Sequence, residues 1–521
     1  MPIDGDRLAA PAPLPSSILE VGLGARPDEA VLVSAEDSMT WRALDNASSV
    51  LAAGYRDLGL ARGDRVASLM PNRTALVVHY LACFKAGFVA TPLNYRYAAP
   101  EIDHALDVSR AAALVAHAER ADDLAASRLV GELPRGVITY GAPEPGGVTF
   151  EALSTEARRP LDVEPGDPSD PAVIFFTSGS TGPAKGVTHS VETLRWMCAS
   201  AAAALELEAD DVLLPASSMS HIGAFLWTLA SLSVGARVVI ARAFDAHEVF
   251  PLLLSERPTV LAMIPAALTA LVRDHAVSAD DFKSLRLCRA GADKVSAELQ
   301  DEFAHLVGFP IDEGYGMTEV GIATLNPVSG VIKTGSIGRP TPGFSISIRD
   351  DDGTEVPTGT VGRVWIQSRS HTIGYWENPA ATAEIMRDGW LDSGDLVHAD
   401  DDGYLWFFGR KKQIIVHDGS NISPLEVEGA IAEHPAVALV GVVGIHDTVH
   451  GENVRAYVTV KDGEPVPTSA DLIEFARARV GYKAPEEIVF IDEMPLNPTG
   501  KIDRVGLKRL AEDHLHPHGL D

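Results

Sequence analysis

The sequence predicts an α/β fold: a large N-terminal part of layered α/β subdomains with a small β-barrel-like subdomain, then a small α+β C-terminal domain. Three observations lead there. The chain has 521 residues, room for roughly three units at about 150 residues per domain. Through the first part of the chain, strand-like and helix-like pieces alternate, the pattern of layers around a mostly parallel sheet. After about Gly335 the texture changes to Gly, Pro and short alternating segments.

In chain order, residues 65–70 read as a strand and 74–86 as an amphipathic helix. Residues 113–116 and the apolar run 172–176 are further strands. Residues 212–236 hold no Asp, Glu, Lys or Arg, long enough to suggest a membrane span. Pro215, His221, Gly223 and five serines favour a buried core helix plus strand instead. From about 336 to 410, segments such as 363–366 and turns at Asp352-Gly353 and Asp402-Gly403 predict a β-rich subdomain. Beyond Lys412 come a strand at 414–416, a helix at 425–433, strands around Val440 and Ala456, a helix at 470–479 and a terminal turn. That unit is expected to be a separate domain, 412–521, after an N-terminal domain of 1–411.

Lys and Arg number 43 against 72 Asp and Glu, a formal charge of −29. Such a surface repels phosphate backbones and anionic lipids, so neither a nucleic-acid partner nor a membrane-surface role is expected. An anionic ligand must then be held by local cations, backbone N–H groups or a metal. Cys83, Cys198 and Cys288 lie far apart without a CxxC pair, which argues against a disulfide framework or a zinc site and fits a reducing compartment. Residues 1–30 show no basic stretch followed by an apolar core, so a cytoplasmic protein is expected, with a homodimer left open.

Directly after the strand at 172–176 comes Thr177-Ser178-Gly179-Ser180-Thr181-Gly182-Pro183-Ala184-Lys185-Gly186-Val187. Read as strand, loop, then helix, it offers N–H groups, hydroxyls, a lysine and a helix N-terminus to phosphate. It is not a Walker A sequence, because no Gly-Lys-Ser/Thr follows a four-residue gap. A flexible surface turn is the plainer alternative. Glu313-Gly314-Tyr315-Gly316-Met317-Thr318-Glu319 puts an aromatic between glycines, a face on which a purine can stack. Its hydroxyl and carboxylate can reach a phosphate and Mg²⁺. Trp390-Leu391-Asp392-Ser393-Gly394-Asp395 and Gly409-Arg410-Lys411-Lys412 add a carboxylate and a guanidinium able to approach a ribose. Asn497-Pro498-Thr499-Gly500-Lys501 sets a lysine on a turn.

In this order, from about residue 30 to 504, these motifs resemble those of the adenylate-forming (AMP-binding) superfamily, and in particular its acyl-CoA synthetases. The resemblance implies ATP-dependent activation of a carboxylate to an acyl-adenylate, with Mg²⁺ as cofactor and ATP and CoA as co-substrates. It places Thr177, Ser178, Gly179, Ser180, Thr181, Gly182 and Lys185 around the phosphates. Gly291, Ala292, Asp293, Glu313, Gly314, Tyr315 and Gly316 are placed around the nucleotide, with Tyr315 flanking adenine. Thr318 meets the α-phosphate, Glu319 ligates Mg²⁺, and Asp395 and Arg410 meet the ribose. Lys501 bridges carboxylate and phosphate, Lys412 is the hinge of a rotating C-terminal domain, and Gly419 with Ser420 lines the CoA tunnel. Gln413 departs from the usual aspartate, Ser393 from threonine, and His417-Asp418-Gly419-Ser420 from a Gly-Gly-Glu stretch.

The same resemblance lines the acid pocket with His221, Ile222, Gly223, Trp227, Ala290, Gly291, Gly316, Met317, Val320 and Gly321. His221 reads equally as a core histidine or as one bordering the acyl site. Small residues suggest room, and Phe225 and Trp227 an end. With only Arg289 and Lys294 as cations, an apolar or aromatic monocarboxylate is expected. Other acceptors (a carrier-protein thiol, an amine), nitrite in place of the acid, a luciferase-type oxygenase and a non-catalytic nucleotide-binding regulator are the competing readings.

Overall fold

The computed structural model describes residues 2–141, 147–155, 158–163, 166–177, 183–275, 277–291, 295–417, 420–447, 451–497 and 500–515. Contacts divide the chain into two compact units, one of residues 2–346 and 366–391, the other of residues 347–365 and 392–521.

The first unit is built on two sheets. In the eight-stranded one, Pro171–Thr177, Val89–Pro92, Arg65–Leu69, Ala113–His117, Val137–Tyr140 and Val148–Thr149 lie parallel in that order. Lys185–Ser190 and then Gly374–Tyr375 add an antiparallel edge beside Pro171–Thr177. In the nine-stranded one, Asp312–Met317, Leu287–Ala290, Val260–Met263, Val212–Ala216, Arg237–Ile240 and Ala30–Ser34 run parallel. Gly321–Leu325 turns back antiparallel against Asp312–Met317. Valine, isoleucine and leucine fill these strands, as burial on both faces of a parallel sheet requires.

One hydrophobic cluster joins strands of both sheets, among them Val66, Phe175, Val31, Leu213 and Val260, through helices Trp41–Asp57, Thr74–Ala86, Val191–Ala204 and Ile222–Val234. Thr74–Ala86 begins and ends where the sequence places it, but it is not amphipathic. All 13 of its residues are buried. A helix inside a shared core has no wet face, so its polar groups find partners within the protein. His79 Nδ1 lies 2.8 Å from the Tyr55 hydroxyl, and Lys85 Nζ donates to Asp45 Oδ1 at 2.6 Å and Ser49 Oγ at 2.9 Å. Residues 212–236 resolve into the strand Val212–Ala216 and the buried helix Ile222–Val234, as expected. Among the described residues no helix is long and apolar enough to cross a membrane.

Two expectations are corrected here. The segment after the glycine-rich loop is the strand Lys185–Ser190, and helix Val191–Ala204 starts only after its Ser190 cap. The β-branched pair Val187-Thr188 suits a strand, so no helix N-terminus adjoins the loop. The β-rich stretch holds strands Phe344–Arg349, Gly362–Ser368 and Trp390–Ala399 in an open sheet, with no closed barrel among the described residues. Its Asp-Gly turns stand as read, with Gly353 at φ 84° and Gly403 at φ 79°.

In the second unit, strands Ile415–His417, Ser420–Ile422, Val437–Asp447, Gly451–Val460 and Glu487–Phe490 form one sheet. Helices Pro424–Ala432 and Ser469–Val480 pack on it around Val427, Ile431, Val442, Val458 and Leu472. The terminal turn is followed by a helix the sequence reading lacks, Arg504–Leu515. Asp503 Oδ1 accepts from the Val505 amide at 3.1 Å, and Leu507 and Ala511 enter a second small core with Val443, Tyr457 and Met494.

Candidate active site

The hairpin of Pro171–Thr177 and Lys185–Ser190 pairs Lys185 with Thr177, so the two described ends of the glycine-rich loop sit side by side. Ser178, Gly179, Ser180, Thr181 and Gly182 lie outside the described residues. Gly374–Tyr375 pairs with the next residues of the hairpin, Val187 with Tyr375. A side chain on Gly186 would press on Ile174 at 3.0 Å and Trp376 at 3.2 Å, so glycine lets this third strand close in. As a result the Lys185 ammonium lies 4.8 Å from the centre of the Tyr375 ring, a cation–π contact.

The second motif is also a hairpin, Asp312–Met317 against Gly321–Leu325, with a register shift between Tyr315 and Gly316. Its turn carries Thr318, Glu319 and Val320. Glu319 is buried, and its Oε1 accepts from the Tyr375 hydroxyl at 2.8 Å. Burial and the Glu319 charge raise the Tyr375 pKa, so that hydroxyl stays a donor. The Thr372 amide donates to the Glu319 carbonyl at 2.6 Å, and the Thr372 hydroxyl to the Thr188 carbonyl at 2.6 Å. The Thr318 carbonyl is met by His189 Nε2 at 2.8 Å, and burial pushes that imidazole down to about 4. Neutral His189 therefore donates to Thr318. The two motifs, from two different sheets, are locked together at one place.

Gly314 and Gly316 serve this hairpin as well as any stacked ring. A Cβ on Gly316 would lie 2.2 Å from the Gly321 carbonyl oxygen, and one on Gly314 would lie 2.6 Å from Arg289 Nη2. Tyr315 is half-buried, its hydroxyl 3.9 Å from Met317 Sδ. Ala290 pairs with Glu313 in parallel register. Glu313 is buried, and its carboxylate accepts from the Val295 amide and Gln300 Nε2, both at 3.2 Å, which anchors the chain after Gly291. Ala292 and Asp293 lie outside the described residues.

On the expected acid side, His221 caps helix Ile222–Val234, and its Nε2 lies 3.3 Å from Asn94 Nδ2. Asn94 Oδ1 already accepts from the Arg96 amide at 2.9 Å, which aims the amide nitrogen at the imidazole. The Asn94 amide nitrogen therefore faces His221 Nε2 as a donor. Among the described residues, nothing lies within 4 Å of where a Cβ on Gly223 or Gly291 would stand. The space beside Gly321 is already taken, since a Cβ there would meet Met197 Cγ at 2.7 Å. Phe225 does not close a pocket: it sits among Tyr80, Phe84 and Phe175 with ring centroids 5.0 to 6.4 Å away. Trp227 is buried under the Arg289 guanidinium, 5.0 Å from its ring. Ile222 and Met317 are half-buried and Val320 is fully buried.

In the other unit Asp395 and Arg410 face each other across a strand pair, Oδ1 to Nε 3.1 Å. Asp395 is buried while Arg410 stays half exposed. Asp392 is taken by Arg363 at 2.8 Å, and the Ser393 hydroxyl donates to the Val364 carbonyl at 2.9 Å. Lys412 is exposed in the three-residue turn Lys411–Gln413. His417 pairs with Ser420, and its Nδ1 lies 2.7 Å from the Glu452 carbonyl; Gly419 lies outside the described residues. Lys501 is exposed on a tight turn in which the Asn497 amide donates to its carbonyl at 2.8 Å and Gly500 has φ 82°.

Residues 19–376 match the family model of the AMP-binding enzyme, and residues 426–501 that of the AMP-binding enzyme C-terminal domain. The chain belongs to the AMP-binding enzyme family. Feruloyl-CoA synthase of Amycolatopsis sp is 33% identical to it over 479 residues, 91% of this chain and 94% of that protein. Indoleacetate–CoA ligase of Aromatoleum aromaticum is 32% identical over 497 residues, 94% and 96% of the two chains. The crystal structure of ATP-bound MatB from Rhodopseudomonas palustris matches with a TM-score of 0.89 at 26% identity, covering 97% of this chain and 100% of that one. This AMP-binding enzyme stands in the acyl-CoA ligase branch of the adenylate-forming superfamily, a branch of AMP-forming acid–thiol ligases.

The AMP-binding enzyme has site neighbours that the sequence reading missed: Tyr375, His189 and Asn94. Tyr375 is 56 positions from Glu319, within a stretch read as a separate β subdomain, and no local spacing connects the two. Among the described residues no group of three or more His, Cys, Asp or Glu could hold a metal. Glu319 alone, buried and oriented, suits Mg²⁺, which keeps its waters and leans on substrate phosphates.

Proposed function

We propose that this AMP-binding enzyme joins an apolar or aromatic monocarboxylate to the α-phosphate of ATP, releasing pyrophosphate, and then passes the acyl group to the thiol of CoA, releasing AMP. Acid and nucleotide are both anions, and attack at phosphorus concentrates more negative charge, so positioning and charge neutralisation carry the chemistry. Lys185 and the loop it closes hold the phosphates. Glu319 would hold Mg²⁺, which when bound would supply charge neutralisation at the phosphates. Thr318 donates to the α-phosphate, Tyr315 stacks on adenine, and Asp395 with Arg410 takes the ribose. Lys501 steadies the acid's oxygen against phosphorus. His221 borders the acid, and Gly419 and Ser420 the thiol. Lys412, exposed in a short turn, is the hinge at which the C-terminal domain changes orientation between the two half-reactions. No protein nucleophile is required.

The arrangement of Lys185, Tyr375 and Glu319 supports this function most strongly, because one aromatic side chain touches both the lysine assigned to the phosphates and the carboxylate assigned to the metal. Exchange of labelled pyrophosphate into ATP that depends on an added carboxylic acid, together with AMP release that requires free CoA, is the expected result. AMP release that proceeds with an amine or a carrier-protein thiol and ignores CoA would replace the proposed acceptor.

A further inference from the structure

The turn that carries Lys501 is fastened to the sheet of the second unit at two adjacent points. Within the turn, Asn497 Oδ1 accepts from the Lys501 amide at 3.1 Å, and Leu496 bridges to Ile502 across its base. These contacts set the shape of the turn but not its aim. The aim depends on the two side chains that come directly afterwards, Ile502 and Arg504. Ile502 takes room left by Gly441, where a Cβ would stand 2.9 Å from Ile502 Cγ2, and joins the small core of Val443, Tyr457 and Leu507. Arg504 Nη2 donates to both oxygens of Glu428, at 2.7 and 2.6 Å. Glu428 Oε1 also accepts from the Val442 amide at 2.7 Å. Gly441 and Val442 are neighbours on Val437–Asp447, the edge strand of the sheet.

The two charged side chains are 10% exposed for Glu428 and 19% for Arg504. An ion pair so far out of water is a poor source of stability, because apolar residues of the same size would serve the core as well. What it supplies is direction. Glu428 projects from helix Pro424–Ala432, and Arg504 is the first residue of helix Arg504–Leu515, three positions beyond Lys501. One carboxylate thus joins a helix, an edge-strand amide and the start of the last helix at a single point. A short lever runs from that point to the Lys501 turn. A charge that meets the reacting oxygens only in the transition state is sensitive to its placement, and a shift of about 1 Å can cost on the order of 100-fold in rate.

We propose that Glu428 and Arg504 are positioning residues for Lys501, and that they serve the adenylating half-reaction and not the transfer to the thiol. The proposal rests on the role given to Lys501 above. The test measures both half-reactions on the same preparation of the full chain: acid-dependent pyrophosphate exchange, and thioester formation from preformed acyl-adenylate and CoA. Their ratio does not depend on how much of a variant is folded. Arg504→Met should lower kcat for exchange by on the order of 10- to 100-fold, with KM for ATP and acid little changed. Thioester formation should stay within about threefold of wild type, whereas a merely structural pair would lower both rates together. Arg504→Lys, whose single ammonium can meet both Glu428 oxygens as Nη2 does, should fall by less than the methionine variant. Glu428→Gln keeps an acceptor for the Val442 amide and should show the same split in milder form, which decides the matter if Arg504→Met does not fold. Equal loss of the two half-reactions in these variants, while Lys501→Ala loses exchange alone, would overturn the pair's role and leave the function of Lys501 standing. Equal loss in Lys501→Ala itself would overturn that function and this proposal with it.

Discussion

The Tyr375 hydroxyl donates to Glu319 Oε1 at 2.8 Å while the same ring carries the Lys185 ammonium 4.8 Å from its centre. Here the ring gives the cation a face to rest on and the hydroxyl turns the carboxylate. One side chain thus touches a residue from each of the two motifs.

Tyr375→Phe keeps the ring and the lysine contact but removes the donor. A hydrogen bond to a charged group is worth about 1.5–3 kcal/mol. The Mg²⁺ concentration for half-maximal pyrophosphate exchange should therefore rise by on the order of 10-fold, with little change in melting temperature. Tyr375→Leu, which removes both contacts, should also raise KM for ATP. An unchanged Mg²⁺ dependence in the phenylalanine variant would detach Tyr375 from the carboxylate's task.

Gly321 ends the turn that carries Glu319, at φ 80°, and an added methyl would meet Met197 Cγ at 2.7 Å. Gly321→Ala combines a left-handed backbone with overpacking and should destabilise the protein by about 2 kcal/mol. Urea denaturation measures the loss.

Stability should also depend on pH through His189. Burial holds its folded pKa at about 4, below the usual 6.5 of an imidazole, so the unfolded chain binds the proton more readily. Its stabilising contribution is complete above about 6.5 and disappears as pH falls towards 4. Asp312, raised by burial to about 6, acts in the opposite sense between the usual carboxylate range and that pH. The informative quantity is thus the difference between wild type and His189→Gln. Between pH 4.5 and 6.5 the variant's denaturation midpoint should rise less steeply with pH.

Lys501 is exposed on its turn, so Lys501→Ala should leave the fold intact. Exchange should fall by at least about 100-fold, the scale of a lost transition-state charge contact. Thioester formation from preformed acyl-adenylate should survive largely unchanged. Equal loss of both half-reactions would remove the case for two domain orientations.

The layers of the fold were legible because parallel strands are continuous apolar runs: residues 65–70, 113–116 and 172–176 announce themselves. The character of Thr74–Ala86 was not, since burial on every side depends on what packs around it. The loop before Lys185 was recognised as phosphate-like, but the strand after it looked like a helix start, because a hairpin's register is set by a partner and not by its own sequence. The candidate site divides in the same way. Lys185, Tyr315, Thr318 and Glu319 stand in local motifs and could be named. Tyr375 and Asn94 take their importance from neighbours far away in the chain. The room suggested by Gly316 and Gly321 was illusory, because there the missing side chains accommodate the protein's own backbone and Met197.

The most direct test follows an oxygen atom. If the acid attacks the α-phosphorus and the thiol then displaces AMP at the carbonyl carbon, one oxygen of the carboxylate leaves with AMP. Turnover of an acid labelled with heavy oxygen in the presence of ATP, Mg²⁺ and CoA should give AMP carrying one labelled oxygen on phosphorus. Label appearing in inorganic phosphate alongside ADP, or AMP bearing only solvent oxygen, would contradict an acyl-adenylate altogether.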